Sequence, residues 1–323
     1  MNLYRLALQP RSPWRTPWQA DTLTGALCAT AARVHGPDFL RQRLIEPMLG
    51  GHPPFVVSDA FPANFLPLPM YLRLADPPAG VDAKTLKRAR WMARSEFLAL
   101  QSAKGSAGAW ERLLPDSAVF LTETSRHNTL SRESDASLEE GGLFSRSDTL
   151  LRANGNGDGR LDLYFRARDS ESADLLLDLV YELSLVGFGA DVATGRGQFD
   201  IAGEPQPAGD LDEPRERANG VIVLSSFQPA AGDPTDGCWE AFPKFGKLGP
   251  DMAVPDVRKH TLIMFRAGAC FHCDAARSFL GRAIPMSELL PDGAVQTLND
   301  RGISVIHPAF GLAMPARADW NIE

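Results

Sequence analysis

Cysteine is scarce. The 323-residue chain holds four, Cys28, Cys238, Cys270 and Cys273. They are too few and too scattered for a disulfide framework, so a reduced, intracellular, cytoplasmic protein is the simplest expectation. Long apolar runs are missing too. No stretch approaches the ~20 residues that a membrane helix needs, and the opening MNLYRLALQPRSPWR lacks the apolar core of a secretory signal. There is no excess of positive charge: 33 Lys and Arg against 40 Asp and Glu leave −7. That balance excludes a broad, nonspecific nucleic-acid coat. It leaves room for a local RNA site wherever cations gather.

Catalytic signatures are equally sparse. There is no G-x-S-x-G elbow and no H-E-x-x-H. Gly195 is followed by Arg196 and Gly197 rather than the Lys-Ser/Thr of a P-loop. Gly187-Phe188-Gly189 is not a dinucleotide fingerprint, because Val192 occupies the third glycine position and a helix pattern precedes it. The run from Asn154 to Phe165 begins like an EF-hand loop, with Asn156, Asp158 and Gly159 in place. Phe165 stands where a bidentate Glu is required, so a hairpin turn is the better reading. His35 and His127 are lone histidines, and general acid–base work needs a partner for either. The chain is therefore expected to be no enzyme and to need no cofactor or metal.

What is present is a globular composition. Hydrophobic residues make up 44 %, enough for a substantial core. At ~150 residues per domain, the length suggests about two domains. With 28 Gly and 25 Pro, the chain exceeds the usual ~12 % and implies many turns and long ordered loops.

Residues 3–8 alternate like a strand. Asp21 reads as the N-cap of a helix with Leu23, Leu27, Ala31 and Val34 on one face, ended by Gly36-Pro37. Residues 50–80 are too rich in Gly and Pro for regular elements. From Lys84 to Leu100 helical spacing returns, with Lys84, Lys87, Arg88, Arg90 and Arg94 as a solvated face. Strand-like runs at Ala118–Thr124 and Leu161–Arg168 flank a long polar stretch, and such a length is either disordered or functional. Ser172 reads as the cap of a helix carrying Leu176, Leu179, Val180, Leu183 and Val186, which stops at Gly187. The resulting strand–helix–strand–strand–helix–strand order is a ferredoxin-like α+β pattern. Residues 202–219 read as a linker. Beyond it, strands are expected at 221–227 and 260–267, and the tail 283–323 shows no long helix.

Two local features invite chemistry. Gly187, Gly189, Gly195 and Gly197 flank a short excursion, and glycine lets the main chain approach a phosphate closely, with Arg196 as a cationic contact. Cys270 and Cys273 form a CxxC, open to redox, metal or packing roles. A metal would need further ligands, and Cys238, His260 and His272 lack motif spacing.

Read in order, six segments carry a resemblance: ADTLTGALCATA (20–31), HPPFVVSDAFPANFLPLP (52–69), SRHNTLSRESDASLEEGGLF (125–144), GFGADVATGRGQF (187–199), LSSFQP (224–229), and the stretch from KFGKLGP to FRAGACF (244–271). Together they resemble the RAMP superfamily of type III CRISPR effector complexes. The closest likeness is to the subunits that cap the 5′ end of the guide RNA in the type III-A Csm complex. Ala20 before Asp21 and the CxxC are not features of that family.

The resemblance implies two ferredoxin-like (RRM-like) domains with a long thumb hairpin and glycine-rich loops. The first spans 1–203, with the thumb at about 125–144 and the glycine-rich loop at 187–197. A linker follows at 204–219 and a second domain at 220–323. It also implies a non-catalytic scaffold in antiviral defence that binds the 5′ handle of the crRNA and meets target RNA through the guide duplex. Such a subunit docks the large polymerase/cyclase subunit and abuts the first backbone RAMP subunit, with no membrane partner. Candidate RNA-binding residues are Asp21, Thr22 and Gly25, whose helix start offers amides to a phosphate. To these are added Arg126, His127, Asn128 and Arg132 on the thumb, the loop residues Gly187, Gly189, Gly195, Arg196 and Gly197, and Lys244, Lys247 and Arg266 in the second half. The alternatives are a crRNA-processing endoribonuclease of the same superfamily, the equivalent subunit of another type III or a type I complex, and a redox protein using its CxxC.

Overall fold

Leucines at 3, 6 and 8 turn inward along β1 (Asn2–Pro10), and this alternation places the strand at the centre of a sheet. The computed structural model describes residues 1–74, 82–101, 113–131, 142–152, 158–213, 218–246, 248, 258–274 and 277–317. After β1 the first half supplies helix α1 (Ala20–His35), β2 (Phe55–Pro62), a hairpin of β3 (Phe120–Asn128) and β4 (Leu143–Leu151), then β5 (Leu161–Ala167), helix α2 (Ser170–Val186) and β6 (Phe199–Ile201). The sheet order is β6-β1-β5-β2 and every pairing is antiparallel. Tyr4 faces Phe165 across the β1–β5 ladder, and their rings stack at 5.3 Å. Leu23, Leu27 and Ala31 of α1 share one core with Leu176, Leu179, Val180 and Leu183 of α2.

The chain order is the expected one, but some of its parts are not. The second strand of the sheet lies within 50–80, the stretch expected to be irregular. β2 is buried on both faces and bulged between Val57 and Ala60, so neither alternation nor an unbroken apolar run betrays it. The expected strand at Ala118–Thr124 belongs to the hairpin instead. The expected helix from Lys84 to Leu100 is broken: Ala83–Arg88 and Arg94–Gln101 are helical, while Ala89–Ala93 is a strand between Phe65–Pro67 and Leu113–Pro115. Ala89, Met92 and Ala93 are buried in that strand. Caps shift as well. α1 begins at Ala20 after Gln19, and Asp21 lies inside its first turn. Asp169, not Ser172, caps α2, its carboxylate accepting from the Ser172 amide at 2.8 Å.

The second half supplies β7 (Gly220–Val223), β8 (Ala241–Lys244), β9 (Leu262–Phe265), β10 (Cys270–His272), β11 (Phe279–Pro285), helix α3 (Asp292–Asp300) and β12 (Ile306–Ala316). Its sheet runs from Gly237–Cys238 through β10-β7-β12-β11, again antiparallel, while β8 and β9 pair as a separate ribbon. All eleven residues of β12 are buried, which hides it from period-two reading.

The segment expected as a linker is pinned. Gln206 and Pro207 pair with Arg5 and Tyr4 of β1, and Asp212 grips the fully buried Arg166 with two bonds of 2.5 Å. One core cluster runs from Leu3 to Ala316 through both halves.

Candidate nucleic-acid interface

The β3–β4 hairpin stands on an aromatic root. Phe120 packs edge-on against Trp14 and Trp91, at 6.1 and 6.0 Å, and Trp14 exchanges backbone hydrogen bonds with Thr149. Beyond the root the strands are largely exposed. Side chains alternate, so Phe144, Arg146 and Asp148 share one face. On that face His127 lies directly opposite Phe144 and stacks on it at 5.4 Å. The Arg146 guanidinium sits 5.0 Å from the same ring centre, and Ser125 Oγ meets His127 Nε2 at 2.8 Å. A histidine, a phenyl ring and a guanidinium in contact form a surface on which an unpaired base can stack.

The glycine-rich loop leans on this face. α2 ends at Gly187, and Gly189 lies against Thr16. Gly197 packs on the Phe188 backbone, donating its amide to Pro13 O while its own carbonyl accepts from the Phe188 amide, both at 2.8 Å. Gly195 sits in open space at φ +78°. Arg196 is not free. Its Nε donates to Asp148 at 2.9 Å, and Arg15 Nε donates to the other oxygen of that carboxylate at 2.5 Å. Asp191 in turn accepts from Arg15 and, at 3.1 Å, from Arg146. Three arginines thus share two aspartates, and one positive charge is left over. The Arg15 bond holds the Asp148 carboxyl below the usual range, against its partial burial and with help from Arg196.

The structure therefore brings His127 and the loop residues Gly187, Gly189, Gly195, Arg196 and Gly197 into one assembly. Arg126 and Asn128 are exposed on the hairpin's opposite face. Arg132 and Lys247 lie outside the described residues, as does the rest of 132–141, part of the stretch expected to form a thumb. Arg15, Phe144, Arg146, Asp148 and Asp191 complete the assembly and escape the sequence reading. The alternation Phe144, Arg146, Asp148 is the signal that could have found the last strand.

Asp21, Thr22 and Lys244 come together elsewhere, in an internal joint rather than an open anion seat. Lys244 Nζ stands 2.9 Å from Asp21 Oδ2, and it donates to Gln19 Oε1 at 2.6 Å and to Thr22 Oγ1 at 2.9 Å. His307 Nε2 is 3.1 Å from the same Asp21 oxygen. Burial pushes the Asp21 carboxyl up, but His307 and Lys244 outweigh it and the pKa is lowered. Asp59 seals the helix start, accepting from the Ala20 amide at 2.8 Å and from the amide and hydroxyl of Ser226 at 2.9 and 2.8 Å. Burial pushes the Asp59 carboxyl to about 6 in spite of these bonds. Gly25 lies within α1, where a side chain would meet open space.

Arg266 belongs to a third group, around Glu240. As for the CxxC, Cys270 faces Cys238 across two strands instead of pairing with Cys273. Among the described residues no three His, Cys, Asp or Glu side chains cluster to hold a metal, and no helix is long and apolar enough to cross a membrane.

No family model and no curated protein matches the chain. Solved structures do. A chain of the Csm1-Csm4 cassette in complex with pppApA superposes with a TM-score of 0.60 at 16 % identity, covering 99 % of this chain and 100 % of that one. The same cassette in complex with cA4 gives 0.59 at 16 % identity with equal coverage. The Csm3-Csm4 subcomplex of the type III-A CRISPR-Cas interference complex gives 0.58 at 13 % identity, covering 98 % and 100 %. The class is a mixed α+β fold of several antiparallel sheets, matched end to end. Csm4 is the subunit common to the two kinds of assembly, and the chain shares its fold with chains of both.

Proposed function

We propose that the chain is a non-catalytic, RNA-binding scaffold subunit of a type III CRISPR-Cas interference complex, acting in the cytoplasm in antiviral defence. In this reading it binds the 5′ handle of the crRNA, docks the large polymerase/cyclase subunit and abuts the first backbone RAMP subunit. The observation that carries it is the end-to-end likeness to chains from two different assemblies that have Csm4 in common. The hairpin supports the RNA part, with its His127–Phe144–Arg146 stack leaning on a glycine-rich loop and an unbalanced arginine.

The two-domain, ferredoxin-like (RRM-like) reading belongs to the same proposal. The order β6-β1-β5-β2 supports it in the first half. In the second half, β10-β7-β12-β11 repeats the antiparallel neighbours with a different chain order. The test is co-purification from cells that carry the neighbouring subunits, followed by sequencing of bound RNA. Recovery of both partner subunits and of RNAs sharing one repeat-derived 5′ end is expected, and a repeat RNA should stay intact on incubation with the purified chain. Recovery of the chain alone and free of RNA would sink the reading; cleavage of the repeat RNA would make it a nuclease.

A further inference from the structure

Three guanidinium groups meet on one carboxylate where the two halves touch. Arg73 Nη1 donates to Glu240 Oε2 at 2.8 Å, Arg90 Nη1 reaches the same oxygen at 3.4 Å, and Arg266 Nε donates to Oε1 at 2.9 Å. Among the described residues no other carboxylate pairs with these arginines, so the group carries two positive charges in excess. The chain as a whole is acidic at −7, yet among the described residues Glu240 is the one carboxylate paired with these three arginines.

The group is neither a buried staple nor a set of loose surface pairs. The Arg90 and Arg266 side chains are 37 % and 45 % exposed, while Arg73 is 19 % exposed and Glu240 32 %. The backbone beneath is fixed from both sides. The Arg266 amide donates to Glu240 O at 3.0 Å, Leu68 N to Arg90 O at 2.9 Å, and Met70 N to Gly268 O at 2.8 Å. Gly268 permits this close approach, since a β-carbon there would lie 2.6 Å from Leu68 O. The Arg266 guanidinium carbon lies 4.5 Å from the Phe242 ring centre, and stacking of this kind fixes the plane of the fork. Convergent, partly exposed guanidinium forks with their charge unbalanced suit the oxygens of a phosphate group.

We propose that Arg73, Arg90 and Arg266 form a phosphate seat that takes a phosphodiester of single-stranded RNA, built from residues other than those of the hairpin interface, with Glu240 holding the arginines in place. It rests on the RNA-binding reading above. Burial works to raise the Glu240 carboxyl, the three arginines prevail, and its pKa stays below the usual range, so it remains an ionised competitor of the incoming phosphate.

The test titrates a labelled, mixed-sequence single-stranded RNA into the full chain over a series of salt concentrations, beside melting curves and parallel titrations with ATP and inorganic phosphate. Joint Arg90→Ala and Arg266→Ala substitution is expected to weaken RNA binding by roughly tenfold and to lower the salt slope by about 1.4, two contacts at about 0.7 each. Glu240→Gln keeps the shape, frees the arginines, and is expected to tighten RNA binding by about threefold with a steeper slope. A mere staple predicts lower melting temperatures with RNA affinity and slope unchanged, and that result overturns the seat while leaving the RNA reading intact. Should the Glu240 variant fail to fold, Arg266→Ala alone, the most exposed of the three, decides by the same slope. Loss of ATP or phosphate binding with RNA binding unchanged overturns the RNA assignment and makes the group a free-nucleotide or free-anion site. A wild-type chain that binds no RNA overturns both readings at once.

Discussion

Gly195 and Gly197 stand two positions apart in one loop, yet a methyl group means different things at each. At Gly195 a β-carbon meets nothing within 4 Å, and only the φ of +78° resists it. Gly195→Ala is expected to cost about 1 kcal/mol, a drop of roughly 2 °C in melting temperature. At Gly197 the same atom would lie 1.9 Å from Phe188 O, in a backbone already bonded to Phe188 and Pro13. Gly197→Ala must move main chain, so a far larger melting drop or failure to fold is expected. Equal melting of the two variants would contradict this division of roles. Arg196→Ala removes more than a phosphate contact, because it leaves Asp148 to Arg15 alone. The residue that completes a stacking surface without that complication is Phe144.

At the scale of the element, the hairpin is the part of the candidate site best placed for RNA. Its exposed strands contribute little to the core, so Phe144→Ala and His127→Ala are expected to leave melting within a degree or two of wild type. Each should weaken binding of single-stranded RNA, in the range of about 1–3 kcal/mol per stacked base. Unchanged affinity in a titration of both variants would remove the hairpin from the interface.

The sequence showed this region only as a polar stretch too long for an ordinary connection, and the hairpin strands reach outside 125–144 at both ends. α1 and α2 were legible because each buries one stripe and ends at a glycine. β2 and β12 were not, since strands buried on both faces carry no alternation. Ala89–Ala93 shows the converse. Its small and apolar residues satisfy a helical stripe, and only the pairing partners at Phe65–Pro67 and Leu113–Pro115 make it a strand. The arginine–aspartate network was illegible for a related reason: Arg15, Asp148 and Arg196 are far apart in the chain and meet only once the sheet has formed.

Across the whole molecule, the joint at the start of α1 couples the halves. Gln19, Asp21, Thr22 and Asp59 come from one, and Ser226, Lys244 and His307 from the other. Its two carboxylates push stability in opposite directions with pH. Asp21 has a lowered pKa, so its contribution is present above the ordinary carboxylate range, near 4, and is lost as pH falls through the lowered value. Asp59 is raised to about 6, so the folded chain holds this proton more tightly than the unfolded one. Its contribution falls as pH rises from about 4 to about 6 and is flat above.

Asparagine at 59 keeps an oxygen for the Ala20 and Ser226 amides, and its NH₂ can donate to the Ser226 hydroxyl in place of the bond now accepted. Asp59→Asn is therefore expected to gain stability relative to wild type between pH 4.5 and pH 7 in urea unfolding, the other carboxylates cancelling in the difference. Asp21→Asn leaves the Lys244 ammonium without its counter-charge, and should lose stability throughout the range above about pH 4, where the wild-type carboxylate is ionised. If the Asp59 difference stays constant across that range, the carboxyl does not titrate there, and the seal on α1 is an ordinary ionised cap. If it grows with pH, the joint that aligns the hairpin and loop of one half with the arginine cluster shared by both carries a buried acid that opposes it at neutral pH. Its strength then rests on Lys244 and His307 outweighing that cost.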